Sequence, residues 1–255
     1  MTDPVPIRDA ATVVLLRDGA DGVDVWLLTR VDEMVFAAGT TVFPGGRVDS
    51  ADAELPWSGR SPDVLALRLG CDEIVARALV GAAVRETFEE AGVLLTDPPS
   101  GVVGVTTLAA DVEAGRFRFG DLLRDQGLAV ASDLLHPWAR WITPLGEVRR
   151  YDTRFFVAAL PDGATPADLT SESSTAGWLP ARAALAEGER GERILMPPTV
   201  AVLQSVAAFP TVSEVLAAAD ARDLTPVAPV LRRDAEGMSI MLSDGTTVPL
   251  PRRTR

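Results

Sequence analysis

Two runs of apolar, largely β-branched residues lie near the start of the chain. They cover residues 11–16 and 23–28, and the turn-forming segment 18–22, rich in Asp and Gly, separates them. This pattern predicts a β-hairpin. A short strand over residues 41–43 is predicted next, followed by Pro44-Gly45-Gly46, where glycine permits a tight turn whose backbone can approach a ligand closely.

A longer segment, residues 74–91, has the apolar spacing of a helix. It contains no Pro and only one Gly, and Gly92 is a suitable C-terminal stop. The recurring apolar positions are Ile74, Leu79, Val80, Ala83, Val84 and Phe88. We therefore predict a single helix over this segment.

Three carboxylates share one face of the predicted helix. Residues at i, i+3 and i+4 are neighbours on a helix, so Glu86, Glu89 and Glu90 lie side by side, and Arg85 lies one turn before Glu89. Adjacent anions repel, and a hard divalent cation such as Mg2+ would stabilise them. On these residues alone, a solvated helix face with an Arg–Glu pair is the simpler interpretation.

The rest of the chain shows weaker patterns. The charged segment 147–152 is predicted as a turn, for which a solvated loop and a phosphate-binding role are equally good interpretations. Strands are predicted over residues 101–106, 140–143 and 153–160, helices over 119–126 and, broken at Phe209-Pro210, over 197–219, and a hairpin over 238–250.

Length and charge limit the function classes. The chain has 255 residues, 47% of them apolar, with no apolar run near the roughly 20 residues of a membrane span. The net charge of -12 argues against a nucleic-acid backbone as the main partner. The first residues lack a basic and then apolar leader, and every basic residue is Arg, so we expect a bacterial-type cytosol.

Cysteine and histidine chemistry is restricted as well. Cys71 is the only cysteine, which excludes an intrachain disulfide and a cysteine-based metal site. His136 is the only histidine, so no histidine-based triad or zinc site can be built. Beside Pro137 and Trp138, His136 is interpreted as a packing or capping residue.

The glycine loop and the acidic helix together resemble the signature of the Nudix hydrolases. Gly46 leads the loop, and the fixed positions of the helix are filled by Arg85, Glu86, Glu89, Glu90, Gly92 and Val93. Thr87 stands where the family usually has an apolar residue, and Asp52 where it usually has Glu. An insert of about residues 53–73, expected to form a loop and a short helix overhanging the site, interrupts the signature.

Longer phrases are similar to the peroxisomal coenzyme A diphosphatase branch of this family, which also carries an insert in the signature. They are residues 42–46, 83–95, 141–144, 150–156 and 195–198. A second coenzyme A fingerprint matches only at its ends, residues 27–29 and 39–46, because Val35 stands where an Arg is expected. The C-terminal Arg253-Thr254-Arg255 is not a peroxisomal signal.

The resemblance implies a Nudix-type α/β/α sandwich with a mixed sheet and a set of roles. Glu86, Glu89 and Glu90, the carbonyl of Gly46, and Glu172, six residues before Trp178, would hold Mg2+ or Mn2+. Arg85 would orient the carboxylates, and Glu89 or Glu172 would take a proton. The arginines assigned to the substrate are Arg30, Arg47 and Arg150.

The same resemblance sets the expected organisation and activity. Residues 8–190 would form the Nudix domain, and residues 191–255 a helical and hairpin extension packed on it. The implied reaction is cleavage of the diphosphate of coenzyme A or its acyl esters, and a homodimer is allowed. Two alternatives stay open: hydrolysis of ADP-ribose, NAD(H) or nucleotide sugars, and a nucleotide sensor with the same fold that does not turn its ligand over.

Overall fold

The structure is a computed structural model, and it describes residues 5–30, 39–99, 105–167, 173–233 and 237–250. Within these residues the chain forms fourteen β-strands and seven α-helices. The strands are β1 Ile7–Gly19, β2 Gly22–Arg30, β3 Thr40–Val42, β4 Gly45–Arg47, β5 Trp57–Ser58, β6 Thr96–Asp97, β7 Ala129–Ala131, β8 His136–Ile142, β9 Arg150–Ala159, β10 Ser173–Pro180, β11 Ile194–Leu195, β12 Val230–Arg233, β13 Met238–Met241 and β14 Thr247–Pro249. The helices are α1 Pro62–Leu69, α2 Glu73–Ala91, α3 Val105–Glu113, α4 Phe119–Asp125, α5 Ala181–Glu189, α6 Pro197–Ala207 and α7 Val212–Ala219.

Eight strands form the main sheet, which is mixed. Its order is β11-β3-β2-β1-β9-β8, with β10 paired to β2 and β4 paired to β1. The predicted hairpin of β1 and β2 is confirmed, and β1 also runs parallel to β9 over ten residue pairs. This long parallel pairing places Arg150 and Asp152 in β9, so the predicted turn ends earlier than residue 152.

The central strand β1 supplies both hydrophobic cores. Ala11, Val13 and Leu15 lie in one core with α1, α2, α3 and α4. Val14 and Leu16 lie in the other core with α5, α6 and α7. Because side chains of a strand point alternately to the two faces of the sheet, one apolar strand can be covered by helices on both sides. This is the predicted α/β/α arrangement.

The insert forms the predicted loop and short helix. A 3-10 turn at Ser50–Glu54 precedes β5 and α1, and α1 buries Leu65 and Leu69 in the core beside α2. Arg68 at the end of α1 donates to the carbonyls of Ala219 at 3.0 Å and Arg222 at 2.5 Å, which ties the insert to the end of α7. That the insert overhangs the carboxylates stays a prediction.

The prediction of a strand over residues 101–106 is wrong for Val105 and Thr106, which the structure describes as helical. Residues 101–104 lie outside the described residues, but Val105 begins α3. The β-branched residues favoured a strand in the prediction. Ala109 and Val112 instead lie in the core at helical spacing, and this tertiary packing outweighs local propensity.

The C-terminal segments pack on the second face of the sheet. α6 and α7 contribute Val202, Leu203 and Val215 to that core, and the predicted hairpin appears as β13 and β14, joined by β12 into a small sheet. No single described helix is long and apolar enough to cross a membrane. α6 and α7 reach that length and apolar character only together, and the angle between them is 111°. The domain boundary at residue 190 stays a prediction.

Candidate active site

Helix α2 places three carboxylates at its C-terminal end. The Asp72 side chain accepts a hydrogen bond from the Val75 N–H at 2.8 Å and so caps its start. Gly92, in the left-handed region at φ 66°, ends it by donating to the Phe88 carbonyl. Phe88 is fully buried, which fixes the rotation of the helix and directs Glu86, Glu89 and Glu90 away from the core.

The unusual Thr87 is compatible with this buried helix face. Its side chain is fully buried, and its hydroxyl donates to the Ala83 carbonyl at 2.7 Å. A buried hydroxyl without a partner would be costly, and this bond to the preceding turn removes the cost. The departure from the family pattern therefore does not disturb the helix.

Arg85 is the centre of the polar cluster. Its Nε and Nη2 donate to the two carboxylate oxygens of Asp52 at 2.8 and 3.0 Å, a bidentate ion pair. Its Nη1 donates to Glu86 at 2.8 Å and lies 3.2 Å from Glu89 Oε2. Nη2 also donates to the carbonyl of Arg47 at 3.0 Å, which ties the helix to the glycine loop. The guanidinium thus holds two of the three carboxylates and the loop together.

The glycine loop touches the remaining parts of the cluster. The N–H of Gly45 donates to Glu90 Oε2 at 2.8 Å. A Cβ atom on Gly46 would lie 2.5 Å from Glu86 Oε1, closer than any real contact. A side chain at position 46 would therefore displace the Glu86 carboxylate.

Negative charge exceeds positive charge around Arg85. Burial raises the pKa of Glu86 and raises the pKa of Glu89 to about 7, while the charge of Arg85 opposes both shifts. Burial lowers the pKa of Arg85, but ion pairing with Asp52 and Glu86 outweighs burial and raises it. One guanidinium therefore faces the carboxylates of Asp52, Glu86 and Glu89 and does not neutralise them.

These residues suit a divalent cation in donor type and charge. Mg2+ and Mn2+ prefer carboxylate and carbonyl oxygens, which Glu86, Glu89, Glu90 and Gly46 supply. Among the described residues, no three acidic, cysteine or histidine side chains converge as ligands. The reason is visible in the contacts: Nη1 of Arg85 lies between Glu86 and Glu89.

The other predicted site residues lie in different places. Arg47, in β4, pairs its side chain with the exposed Asp49 at 2.6 Å. Arg30 ends β2 opposite Ser173 of β10. Arg150 begins β9, where its Nε donates to the Thr143 carbonyl at 3.1 Å. Glu172 lies outside the described residues.

The structure extends the sequence prediction for Asp52 and agrees with the prediction for His136. Asp52 was noted only as a departure from the family pattern, yet it is 3% exposed and binds Arg85 through both oxygens. Its position six residues after Gly46 is the signal that could have assigned it a role. His136 is half-buried in β8, and burial followed by the charge of Arg60 lowers its pKa, as fits a packing residue.

Comparison with known proteins decides the family. The family model of the NUDT19 Nudix domain matches residues 71–205, which is more than half of the chain and includes Glu86, Glu89 and Glu90 of α2. The chain belongs to the Nudix hydrolases.

Individual relatives of this Nudix protein agree with that assignment. Putative nudix hydrolase 7 of Caenorhabditis elegans is 32% identical over 197 residues, covering 76% of this chain and 58% of the relative. Acyl-coenzyme A diphosphatase NUDT19 of Homo sapiens is 31% identical over 185 residues, covering 55% of this chain and 49% of the relative. The chain thus spans about half the length of the curated relatives it matches.

A solved structure confirms the fold. The crystal structure of a Nudix hydrolase from Alicyclobacillus acidocaldarius superimposes with a TM-score of 0.72 at 31% identity. The match covers 87% of this chain and 99% of the other. The predicted Nudix-type fold is therefore confirmed, with the insert accommodated beside α2.

Proposed function

We propose that this Nudix hydrolase cleaves the phosphoanhydride of coenzyme A or an acyl-coenzyme A in the presence of Mg2+ or Mn2+, releasing 3',5'-ADP and (acyl-)phosphopantetheine. The observation that carries the proposal is the buried cluster in which a single Arg85 faces Asp52, Glu86 and Glu89. The substrate class is supported by the match to the NUDT19 Nudix domain and by the name of the human relative.

The carboxylates of α2 would hold the cation. Glu86, Glu89 and Glu90 are its proposed side-chain ligands, and the carbonyl of Gly46 is a further one. A divalent cation bound there would neutralise phosphate oxygens and lower the pKa of a coordinated water. Gly46 leaves the Glu86 carboxylate the space it needs, because any side chain would collide with it.

Arg85 acts on the carboxylates and not on the substrate in this proposal. Its bidentate pair with Asp52 fixes the guanidinium, and the remaining nitrogen then orients Glu86 and Glu89. Prepositioned charges stabilise a phosphoryl-transfer transition state better than charges that must first rotate into place. Glu89 is the described candidate for accepting the proton of the attacking water, and Glu172 is the other candidate.

Substrate binding is assigned to arginines at the ends of strands. Arg47 ends β4, directly after the glycine loop, and Arg30 ends β2. Both would attract the phosphates of an anionic substrate. This local attraction is needed because the whole chain carries a net charge of -12 and repels anions at long range.

The test is chromatography of the products after incubation with Mg2+ or Mn2+. Coenzyme A, an acyl-coenzyme A, ADP-ribose and NADH are supplied separately. We expect 3',5'-ADP from the two coenzyme A compounds. Formation of AMP from ADP-ribose or NADH, with no product from the coenzyme A compounds, would be consistent with metal-dependent hydrolysis but would reject coenzyme A as the substrate. Absence of product from every compound would reject hydrolysis and favour a ligand-binding sensor.

A further inference from the structure

A group of exposed and partly exposed residues lies where β1 and β9 begin. It consists of Val5, Ile7, Val148, Arg149 and Arg150, and we call it the strand-start shelf. Ile7 is 46% and Val148 75% exposed, although both are large apolar residues. The shelf therefore combines exposed apolar side chains with two arginines at the point where β1 and β9 begin.

The two strand residues of the shelf, Ile7 and Arg150, lie on the same face of the sheet as α2. Ala11 of β1 and Phe156 of β9 belong to the α2 side of the core. Because faces alternate along a strand and the β1–β9 register is regular, Ile7 and its partner Arg150 lie on that side too.

The shelf is also within reach of a substrate bound at the carboxylates. Ala11 pairs with Gly46, the residue that contacts Glu86. Ile7 lies four residues from Ala11, or about 13 Å along the strand. A nucleotide whose diphosphate is at Glu86 can therefore extend its nucleoside end over β1 toward the shelf.

The arginines of the shelf carry charge that the described residues do not neutralise. Arg150 uses only its Nε, on the Thr143 carbonyl, and its two terminal nitrogens have no hydrogen-bond partner among the described residues. Arg149 is exposed and makes neither a hydrogen bond nor an ion pair within the described part of the chain. Most other arginines near the site are paired, as Arg85 and Arg154 are. On a chain of net charge -12, these two side chains form a local region of positive charge that would attract an anion.

We propose that the strand-start shelf binds the 3'-phosphorylated adenosine end of the substrate. Arg150, assisted by Arg149, binds the 3'-phosphate through charge-assisted hydrogen bonds. Ile7, Val5 and Val148 provide the apolar surface for the adenine ring. This assignment rests on the proposed function and adds to it the group that separates coenzyme A from nucleotides without a 3'-phosphate.

The experiment compares kcat/KM for coenzyme A and dephospho-coenzyme A, which differ only in that phosphate. We expect the wild type to prefer coenzyme A, and Arg150→Gln to reduce the preference about tenfold or more. Arg150→Lys keeps the charge and should retain part of the preference. Arg8→Gln is the matched control: Arg8 is an exposed arginine of β1 next to Ile7, but it lies on the opposite face.

A binding measurement separates this inference from the proposed function. Calorimetry of 3',5'-ADP and AMP needs no turnover, and we expect 3',5'-ADP to bind more tightly to the wild type and to Arg8→Gln, but not to Arg150→Gln. This result would support the shelf even if no substrate were hydrolysed. Equal binding of the two nucleotides by the wild type, or a preference that survives Arg150→Gln, would overturn the assignment.

Discussion

Two buried ionic clusters lie on the α2 side of the sheet, and their charge balance differs. The strand cluster contains Asp9, Arg140, Asp152 and Arg154, two acids and two bases. Arg140 binds both oxygens of Asp152 at 3.0 and 2.7 Å. Arg154 bridges Asp9 at 2.8 Å and Asp152 at 3.0 Å.

The α2 cluster contains Asp52, Arg85, Glu86 and Glu89, three acids and one base. Burial raises the pKa of Glu89 to about 7. In the strand cluster, hydrogen bonding to Asp152 raises the pKa of Arg140, as expected of a satisfied pair. Each cluster contains one bidentate arginine–carboxylate pair, and in the strand cluster Nε of Arg154 has no hydrogen-bond partner among the described residues. The two clusters differ in their charge balance. The balanced cluster has the properties of a structural element, and the unbalanced one is the proposed cation site.

The strand cluster should control stability. Asp152→Asn would leave Arg140 and Arg154 without their shared carboxylate, and Arg154 is only 4% exposed. We expect the free energy of unfolding to fall by about 3 kcal/mol, because Arg140 loses its carboxylate and the buried Arg154 keeps only the partly exposed Asp9. Urea denaturation measures this change. Asp121→Asn, which breaks the exposed pair with Arg124, is the control and should cost less than about 1 kcal/mol. Equal effects of the two changes would contradict a structural role for the strand cluster.

The α2 cluster should control activity with little effect on stability. We expect Glu89→Gln in the cluster, or Glu90→Gln at the proposed ligand beside it, to lower kcat on the order of a hundredfold or more, because charge stabilisation carries most of the rate in phosphoryl transfer. Unfolding should change by about 1 kcal/mol or less for Glu89→Gln, because Arg85 keeps Asp52 and Glu86.

Glu73→Gln, an exposed carboxylate in the first turn of the same helix, is the matched control for activity. It should leave kcat near the wild-type value. Near wild-type activity of Glu89→Gln at saturating metal would remove the basis for the catalytic assignment.

A substitution in the glycine loop should lower kcat less, because it acts only through the position of the Glu86 carboxylate. Gly46→Ala adds a Cβ that would lie 2.5 Å from Glu86 Oε1, so the carboxylate must move. We expect kcat to fall about tenfold, equivalent to about 1.4 kcal/mol. Gly177→Ala in β10 is the control, because nothing lies within 4 Å of its added Cβ. If both variants had the same kcat, close contact between Gly46 and Glu86 would not matter for catalysis.

The sequence predicted the α2 cluster better than the strand cluster, for a physical reason. Helical periodicity places Glu86, Glu89 and Glu90 within one turn, so local spacing is sufficient. The ion pair of Arg154 with Asp9 joins residues 145 positions apart, and no local pattern reveals it. It becomes visible only when the parallel pairing of β1 and β9 is known.

The errors of the sequence analysis have the same origin. The spacing after Gly46 could mark Asp52 as a site residue, but Asp52 and Arg85 are 33 positions apart, so no local pattern reveals their bidentate pair. Val105 was expected in a strand because of its β-branched neighbourhood, but the core contacts of Ala109 and Val112 select a helix. Tertiary contacts decided both cases.

Calorimetric titration of Mn2+ tests the central claim most directly, namely that the unbalanced α2 cluster is the cation site. The wild type and Glu73→Gln should bind Mn2+ alike, and Glu89→Gln should bind it at least about tenfold more weakly, because one ligand and one negative charge are lost. Unchanged Mn2+ affinity in Glu89→Gln, or no binding by the wild type, would contradict the account.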